Sequence, residues 1–368
     1  PPLDSFYYAR RAGGMMRFND GDFAVKLKGF TMTFRRWTTI FAWTLIAIGQ
    51  FSVAPSIAQE RFRVSYGGFN ETATSMWVGI ERGLFKKYGI DAQMVQVRNG
   101  ALSVATLVAK EVEAVWPAQS TILNTVSGGI KLTCIGGPVN KIPRNLMVRK
   151  EIKSAEDLRG KTVGVQSIGG GLWLQTMIIL DHLGVDPDKY GIKVRVIGDE
   201  ATLAQAMITK NIDFGVITYG LSETLYPQGF KSLVDAGDLS VPYQGPEICG
   251  LKESVASRNE FYSRITKGLA EAVAYILDDN NKLEVTKVLQ RNLRLSRNDV
   301  IEGSYKVLRK MTTLDMAPNV AAFKSVQRIV ARINPKIAQV DLDQIIDPSF
   351  VHNLESSGFL AELRKKLR

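Results

Sequence analysis

Two stretches of the chain, about a hundred residues apart, repeat the same order of elements. The stretches are residues 62–116 and 162–219. Each reads as strand, glycine-containing turn, helix, Tyr-Gly-Ile step, strand, helix and strand. Lys110 and Lys210 occupy matching positions, each shortly before the last strand of its unit. This alternation predicts an α/β fold of two similar lobes, each a mainly parallel sheet flanked by helices. Turns at matching strand ends would face each other across a cleft suited to a small molecule.

The composition is that of an ordinary globular protein. The 368 residues are 45% hydrophobic and 23% charged, which suits two domains with extensions. The net charge of +11 falls to +7 without residues 1–58, because these hold seven basic and three acidic side chains. The remaining basic residues are spread among acidic ones, whereas a nucleic-acid footprint would be clustered. We therefore expect no nucleic-acid partner. With only two Cys and two His, we also expect no metal cluster.

The N-terminal part of the chain predicts export. Residues 1–31 lack any periodic pattern and are expected to be a non-native or disordered leader. Residues 32–58 carry an arginine pair at 35–36, an apolar core at 40–48 and a Ser-Ile-Ala site ending at Ala58, the three parts of a signal peptide. The alternative is a membrane anchor, but the apolar core is short for a bilayer of about 30 Å. We expect cleavage after Ala58 and a periplasmic mature protein.

The mature chain divides into segments that predict two lobes joined by two crossings. Residues 59–149 would begin the first lobe and residues 150–247 would form the second. Residues 248–368 would return to the first lobe and add helices that pack mostly on it. Crossings near Leu146–Arg149 and Ile248–Ala256 would together make a hinge that permits closure around a ligand.

The two cysteines leave an alternative open. Cys134 and Cys249 both lie in apolar, strand-like runs, and an oxidising compartment would permit a bridge between them. Since sequence gives no geometry, two buried free thiols are the favoured interpretation and a disulfide the other.

Longer runs of sequence resemble a known family. They are MWVGIERGLFKKYGID, GALSVATLVAKEVEAVW, VRKEIKSAEDLRGKTVGVQ and IIDPSFVHNLESSGF. The chain is similar over residues 62–366 to periplasmic substrate-binding proteins of ABC importers, in the branch that includes sulfonate-, taurine-, nitrate- and thiamine-pyrimidine-binding proteins. The resemblance implies two α/β lobes with a ligand between them, and an ABC permease in the inner membrane as partner. It implies no cofactor, and a monomer is expected.

The candidate site lies at four strand ends. In open α/β lobes, ligands gather outside the carboxyl ends of strands, where helix N-termini present free N–H groups. The residues at these ends are Tyr66, Asn70, Thr74, Trp116, Gln119, Ser120, Ser167, Gly169, Gly170, Gly171, Trp173 and Tyr219.

The glycine run 169–171 is the sharpest of these features. Three glycines between a strand and a helix allow close backbone approach and can form an N–H nest for a carboxylate, sulfonate or phosphate. The run is not a Walker loop, because no Gly-Lys-Ser/Thr follows it. By itself it would more often be a flexible turn.

Aromatic residues at the same strand ends predict a wall for a flat or apolar ligand. They are Tyr66, Trp116, Trp173 and Tyr219, whereas Trp77 lies inside a helix and is interpreted as core. No arginine falls within the four loops, which argues against a bare inorganic oxyanion; Arg98 and Arg144 are the outlying candidates. The predicted ligand is a small organic molecule with one anionic or strongly polar end and a planar or apolar body.

The alternative function is an enzyme of the same bilobed fold acting on a pyrimidine-like or sulfur-containing small molecule. His182 lies deep in a helical pattern and His352 in the C-terminal helices, away from the predicted cleft. No nucleophile–base constellation or carboxylate pair can be argued from spacing, so no catalytic residue is predicted. A third interpretation, the sensing domain of a cytoplasmic regulator, is opposed by the signal sequence.

Overall fold

The structure, a computed structural model, describes residues 59–367. The leader expected at 1–31 and the signal peptide expected at 32–58 lie outside the described residues. The strands are β1 (Glu60–Tyr66), β2 (Ile90–Gln96), β3 (Ala114–Val115), β4 (Leu132–Gly136), β5 (Arg144–Arg149), β6 (Thr162–Val165), β7 (Lys193–Val196), β8 (Phe214–Thr218), β9 (Phe230–Asp235) and β10 (Ile248–Leu251). The α-helices are α1 (Thr74–Glu81), α2 (Gly100–Val108), α3 (Gln119–Ser127), α4 (Gly171–His182), α5 (Glu200–Ile208), α6 (Tyr219–Leu225), α7 (Lys252–Ser257), α8 (Asn259–Leu277), α9 (Lys282–Leu293), α10 (Asn298–Met311), α11 (Val320–Val330), α12 (Ser349–Ser356) and α13 (Phe359–Lys365). None of the helices in 59–367 has the length and apolar character needed to cross a membrane.

The strands form two sheets with the same topology. The first has the order β2-β1-β3-β10-β4 and the second the order β7-β6-β8-β5-β9. In each sheet one strand, β10 or β5, runs antiparallel to its neighbours. The expected α/β fold of two mainly parallel sheets flanked by helices is confirmed, with the addition of this one antiparallel strand per sheet. We call the elements around the first and second sheets the first and second lobes.

The sequence repeat has a matching backbone repeat. Gly89 and Gly191, the glycines of the two Tyr-Gly-Ile steps, have φ angles of 69° and 63°. Glycine adopts this left-handed conformation at little cost. Gly89 ends a 3-10 helix and Gly191 ends a turn, each just before the next strand. Lys110 and Lys210 also share a positive φ, at 59° and 67°, which is uncommon for a residue with a side chain.

The chain passes between the lobes through two adjacent segments. Because Leu146–Arg149 pairs with β8 and β9, it belongs to the second sheet and is not a crossing as the sequence suggested. The return crossing predicted at Ile248–Ala256 is also wrong, because Ile248–Leu251 is β10 of the first sheet and α7 follows it. The outward crossing is residues 137–143 and the return crossing is residues 236–247. The two are joined by hydrogen bonds, from the Gly245 N–H to the Val139 carbonyl at 2.7 Å and from the Gln244 amide to the Gly137 carbonyl at 2.9 Å.

A disulfide bond joins the two strands of the first sheet from which the crossings leave and to which they return. Cys134 on β4 lies directly opposite Cys249 on β10, and the two form a bridge with their Cα atoms 4.1 Å apart. The favoured expectation of two free thiols is therefore wrong. The reason is the register between two strands that are 115 residues apart in sequence, which the local pattern does not contain.

The C-terminal helices contact both lobes. Helix α8 packs against α1 of the first lobe, and α12 packs against β4. Helices α10 and α11, however, also reach α6 and α4 of the second lobe. Ion pairs accompany these contacts, with Lys310 2.6 Å from Asp238 and Arg328 2.7 Å from Asp181. The helices that follow the return crossing therefore connect the two lobes as well as covering the first.

Candidate ligand-binding site

The carboxyl ends of β1 and β3 bring two aromatic side chains to one edge of the first sheet. The strands are parallel with Ser65 opposite Val115, so Tyr66 and Trp116 come next to each other in the register. Both side chains are buried, and the Tyr66 ring meets the Trp77 ring edge-on at 6.3 Å. Trp77 is part of the core, as the sequence predicted.

Helix α3 begins immediately after this edge and places two polar side chains beneath it. Gln119 and Ser120 are fully buried at the first two positions of the helix. Neither the Ser120 hydroxyl nor either atom of the Gln119 amide has a hydrogen-bond partner among the described residues, and the same holds for the indole N–H of Trp116. Buried polar groups are almost always paired in folded proteins, so a group of unpaired ones marks a site where an external partner is expected.

A carboxyl group completes this set. Strand β10 runs antiparallel to β3 with Cys249 opposite Val115, so Glu247 falls beside the residues that follow β3. Its side chain is fully buried, and neither carboxyl oxygen has a partner among the described residues. Burial raises the pKa of Glu247 to about 8, and the nearby Gln119 amide offsets part of that rise. We call Trp116, Gln119, Ser120 and Glu247 the β3 cluster.

The glycine loop of the second lobe reaches the start of α3. A Cβ atom added to Gly171 would lie 3.1 Å from the Ala118 Cβ, so the close approach depends on the missing side chain. Gly169, with φ of 73°, lies against Asn124 of α3. A Cβ at Gly170 would meet the Ser167 hydroxyl at 2.4 Å. The structure therefore brings the predicted glycine run beside Ala118, the residue that precedes the two α3 members of the β3 cluster.

Asn70 and Thr74 have local structural roles. The Asn70 side chain accepts hydrogen bonds from the backbone N–H of Thr72 at 3.1 Å and from its hydroxyl, and so caps a 3-10 turn. The Thr74 hydroxyl donates to the Glu71 carbonyl at 2.7 Å. Next to it, the buried Ser75 hydroxyl has no partner among the described residues.

The two aromatic residues predicted in the second lobe differ from each other. Trp173 is buried in α4 and belongs to the core cluster. The Tyr219 hydroxyl donates to Asp235, which Lys310 also contacts at 3.1 Å, and burial raises the pKa of Tyr219. Tyr219 also lines a groove of about 490 Å³ between α6 and α10. Its hydroxyl is thus bonded within the second lobe, to a carboxylate that also pairs with Lys310 of the C-terminal helix α10.

Neither outlying arginine is placed to hold an anion in the β3 cluster. Arg144 is 3% exposed and pairs with Glu200 at 2.9 Å, while its Nε donates to Gln175. That guanidinium is already neutralised by a carboxylate. Arg98 is exposed at the surface.

Two buried carboxyl groups escaped the sequence analysis. Glu247 stands alone before an apolar strand in the run PEICGL, and a single acid after two prolines reads as a solvated turn. Glu71 is buried where the lobes meet; burial raises its pKa, and Ser304 donates a hydrogen bond to it at 2.9 Å. The only available signal was the position of Glu247 next to a strand that is apolar throughout.

Solved structures identify the class of fold. The periplasmic aliphatic sulphonate-binding protein SsuA of Escherichia coli is 21% identical, and the alignment covers 78% of this chain and 92% of that one with a TM-score of 0.64. The periplasmic nitrate-binding protein NrtA of Synechocystis PCC 6803 is 11% identical, covering 82% and 90% with a TM-score of 0.65. The chain has the periplasmic-binding-protein fold that these structures share.

Sequence comparison identifies the family. The family profile described as NMT1/THI5 like matches residues 70–282, more than half of the chain. The chain belongs to the NMT1/THI5-like family. A Brucella abortus protein described as a candidate binding protein is 28% identical over 211 residues, 56% of this chain and 63% of that one. A Haemophilus influenzae protein described as a candidate thiamine biosynthesis protein is 24% identical over 180 residues, 48% and 55%. The chain spans between half and two thirds of the length of these relatives.

Proposed function

We propose that the protein is an extracytoplasmic solute-binding protein that delivers a small organic ligand to an ABC importer of the inner membrane. The observation that carries the proposal is the β3 cluster, in which six buried polar atoms lack partners within residues 59–367. The cluster lies at the carboxyl end of a strand, where α/β folds hold their ligands. The family and the named periplasmic neighbours support the same function.

The disulfide supports the proposed compartment. Bridges between buried cysteines persist in oxidising compartments such as the periplasm and are rare in the bacterial cytosol. The bridge from Cys134 to Cys249 joins neighbouring strands of the first sheet. Export through the predicted signal peptide would place the chain where this bridge forms.

Binding would use both lobes. The Trp116 ring would lie against the body of the ligand, while the amide and hydroxyl of α3 bind its polar end. The glycine loop at 169–171 would close over the ligand from the second lobe. Because the cluster is fully buried, entry requires the lobes to separate about the crossings at 137–143 and 236–247. The ligand is held and released without turnover.

A thermal-shift screen tests the proposal. Ligands that bind the folded state raise the melting temperature, so at least one class among aromatic acids, sulfonates, pyrimidines, amines and inorganic anions should do so. The ligand should be recovered chemically intact, and small-angle scattering should show compaction when it is saturating. Stoichiometric conversion would move the protein to the enzyme class, and no shift with any class would refute solute binding at this site.

Two serines of the first lobe offer a matched pair of variants. Ser120 has an unpaired hydroxyl, whereas the equally buried Ser103 donates to the Ser65 carbonyl at 3.0 Å and contacts the Ser65 hydroxyl at 2.9 Å. Removing a bonded hydroxyl costs about 1 kcal/mol of stability, and removing an unpaired one costs little. We expect Ser120→Ala to keep the melting temperature and to weaken ligand binding several-fold. Ser103→Ala should lower the melting temperature and leave ligand binding unchanged.

The pair of measurements is a melting curve without ligand and a titration with whichever ligand the screen identifies. If Ser120→Ala lowers stability and leaves the dissociation constant unchanged, Ser120 serves the fold and not the site.

A further inference from the structure

Glu247 is a buried acid without a cationic partner. Within residues 59–367, burial and the Gln119 amide are the influences on its pKa, and no arginine, lysine or histidine contributes. The buried Arg144, which directly follows the outward crossing, is paired with Glu200 and not with Glu247. An ionised carboxylate in such a place is strongly disfavoured unless something positive or hydrogen-bonding joins it.

The other members of the β3 cluster add to this acceptor. The Gln119 side chain influences the Glu247 carboxyl and so lies near it. Its amide carbonyl has no partner among the described residues and offers a further acceptor. The face of the Trp116 indole is suited to a flat cation or an electron-poor ring. The two oxygens of a carboxylate can accept two N–H bonds from one planar group, and the unpaired Gln119 carbonyl can accept another.

We propose that the polar end of the ligand is a cationic nitrogen group that donates N–H bonds to Glu247 and Gln119, as a protonated amine or an amidinium does. This inference rests on the proposed function and specifies its ligand class. It differs from the oxyanion nest predicted from the glycine run, because a sulfonate or carboxylate in this cluster would face a buried acid and no free cation. Taking the charge of an anion out of water with no cation to receive it is costly, and this cost disfavours such a ligand.

Proton release is a consequence that can be measured. Burial raises the pKa of Glu247 to about 8, so at neutral pH the carboxyl is mostly protonated before the ligand arrives. A cationic ligand favours the ionised form, and close to one proton should therefore leave for each ligand bound near pH 7. Burial and the Gln119 amide, which does not titrate, are what shift the pKa of Glu247 within the described chain. We therefore assign the released proton to Glu247.

Benzamidine and benzoate provide a matched test, since they share a ring and a planar fork but carry opposite charges. We expect the mature protein to bind benzamidine in preference to benzoate and benzenesulfonate. Glu247→Gln should weaken benzamidine binding tenfold or more and abolish the proton release seen by calorimetry in buffers of different ionisation enthalpy. Glu260→Gln, which changes an exposed acid in the first turn of α8, is the control and should leave both unchanged.

Each outcome decides between the two proposals. Tighter binding of benzoate or benzenesulfonate than of benzamidine, or benzamidine binding that Glu247→Gln leaves unchanged, overturns the nitrogen-ligand inference and leaves solute binding standing. Failure of benzamidine to bind at millimolar concentration also overturns it. No thermal shift with any class in the wider screen overturns the solute-binding function as well. Circular dichroism of Glu247→Gln verifies that its effect on binding is not a loss of fold.

Discussion

Replacing both Cys134 and Cys249 by alanine should lower the free energy of unfolding by about 4 to 5 kcal/mol, because the bridge closes a loop of 115 residues in the unfolded chain. In the chain-entropy account, a cross-link restricts the unfolded ensemble more when the loop is longer. The expected result is a lower denaturation midpoint, measured by guanidinium unfolding. A steeper denaturant dependence should accompany it, since the unlinked chain exposes more surface when it unfolds.

Reduction provides the control for this experiment. Adding a reductant to the unaltered protein should reproduce the stability of the double-alanine variant, and the same reductant should leave that variant unchanged. A loss below about 1 kcal/mol would contradict the expectation. It would mean that the unfolded chain is about as restricted without the bridge as with it.

The two-lobed fold could be predicted because its signals are local. Strand, turn and helix recur in the same order in residues 62–116 and 162–219, and each Tyr-Gly-Ile step contains a glycine that adopts the left-handed conformation in the structure. Local patterns of this kind depend on neighbours a few residues apart, which a single sequence contains. The two sheets accordingly share one strand order.

Strand partnership over long separations could not be predicted in the same way. Leu146–Arg149 pairs with β8 and β9, whose partner residues lie 66 to 88 positions later, and nothing in its own residues indicates which sheet it joins. The same limit applies to Cys134 and Cys249, whose pairing depends on the register of β10. Register is set by packing across the whole sheet and not by the strand alone.

The candidate site was predicted in part. The rule that ligands gather at carboxyl ends of strands selected Trp116, Gln119 and Ser120, which the structure places together in the buried β3 cluster. It could not select Glu247, because that residue precedes an antiparallel strand and reaches the same edge from the other direction. Nor could it show that the Tyr219 hydroxyl bonds to Asp235, a contact that the sequence does not reveal.

Without ligand, stability should fall between about pH 5 and pH 8 because of Glu247. Burial raises the pKa of this group from 4.5 to about 8 in the folded protein. Within that window the folded protein keeps a proton that the unfolded chain has released, so unfolding releases a proton and becomes more favourable as the pH rises. The stabilisation from the protonated group is complete below pH 4.5 and is lost through pH 8. A pKa difference of this size corresponds to about 4 to 5 kcal/mol.

The comparison of the unaltered protein with Glu247→Gln isolates this contribution, because glutamine keeps the shape and does not titrate. Glu71, whose pKa burial also raises, acts in the same direction in both proteins and cancels in the difference. In urea unfolding from pH 5 to pH 9, the free energy of unfolding of the unaltered protein should fall relative to that of Glu247→Gln as the pH rises. Glu260→Gln should follow the unaltered protein. Parallel curves would mean that Glu247 ionises in the folded state at its ordinary pKa.

Saturating benzamidine should flatten the pH dependence of stability of the unaltered protein, since a cation bound at the β3 cluster stabilises the ionised carboxylate that burial alone disfavours.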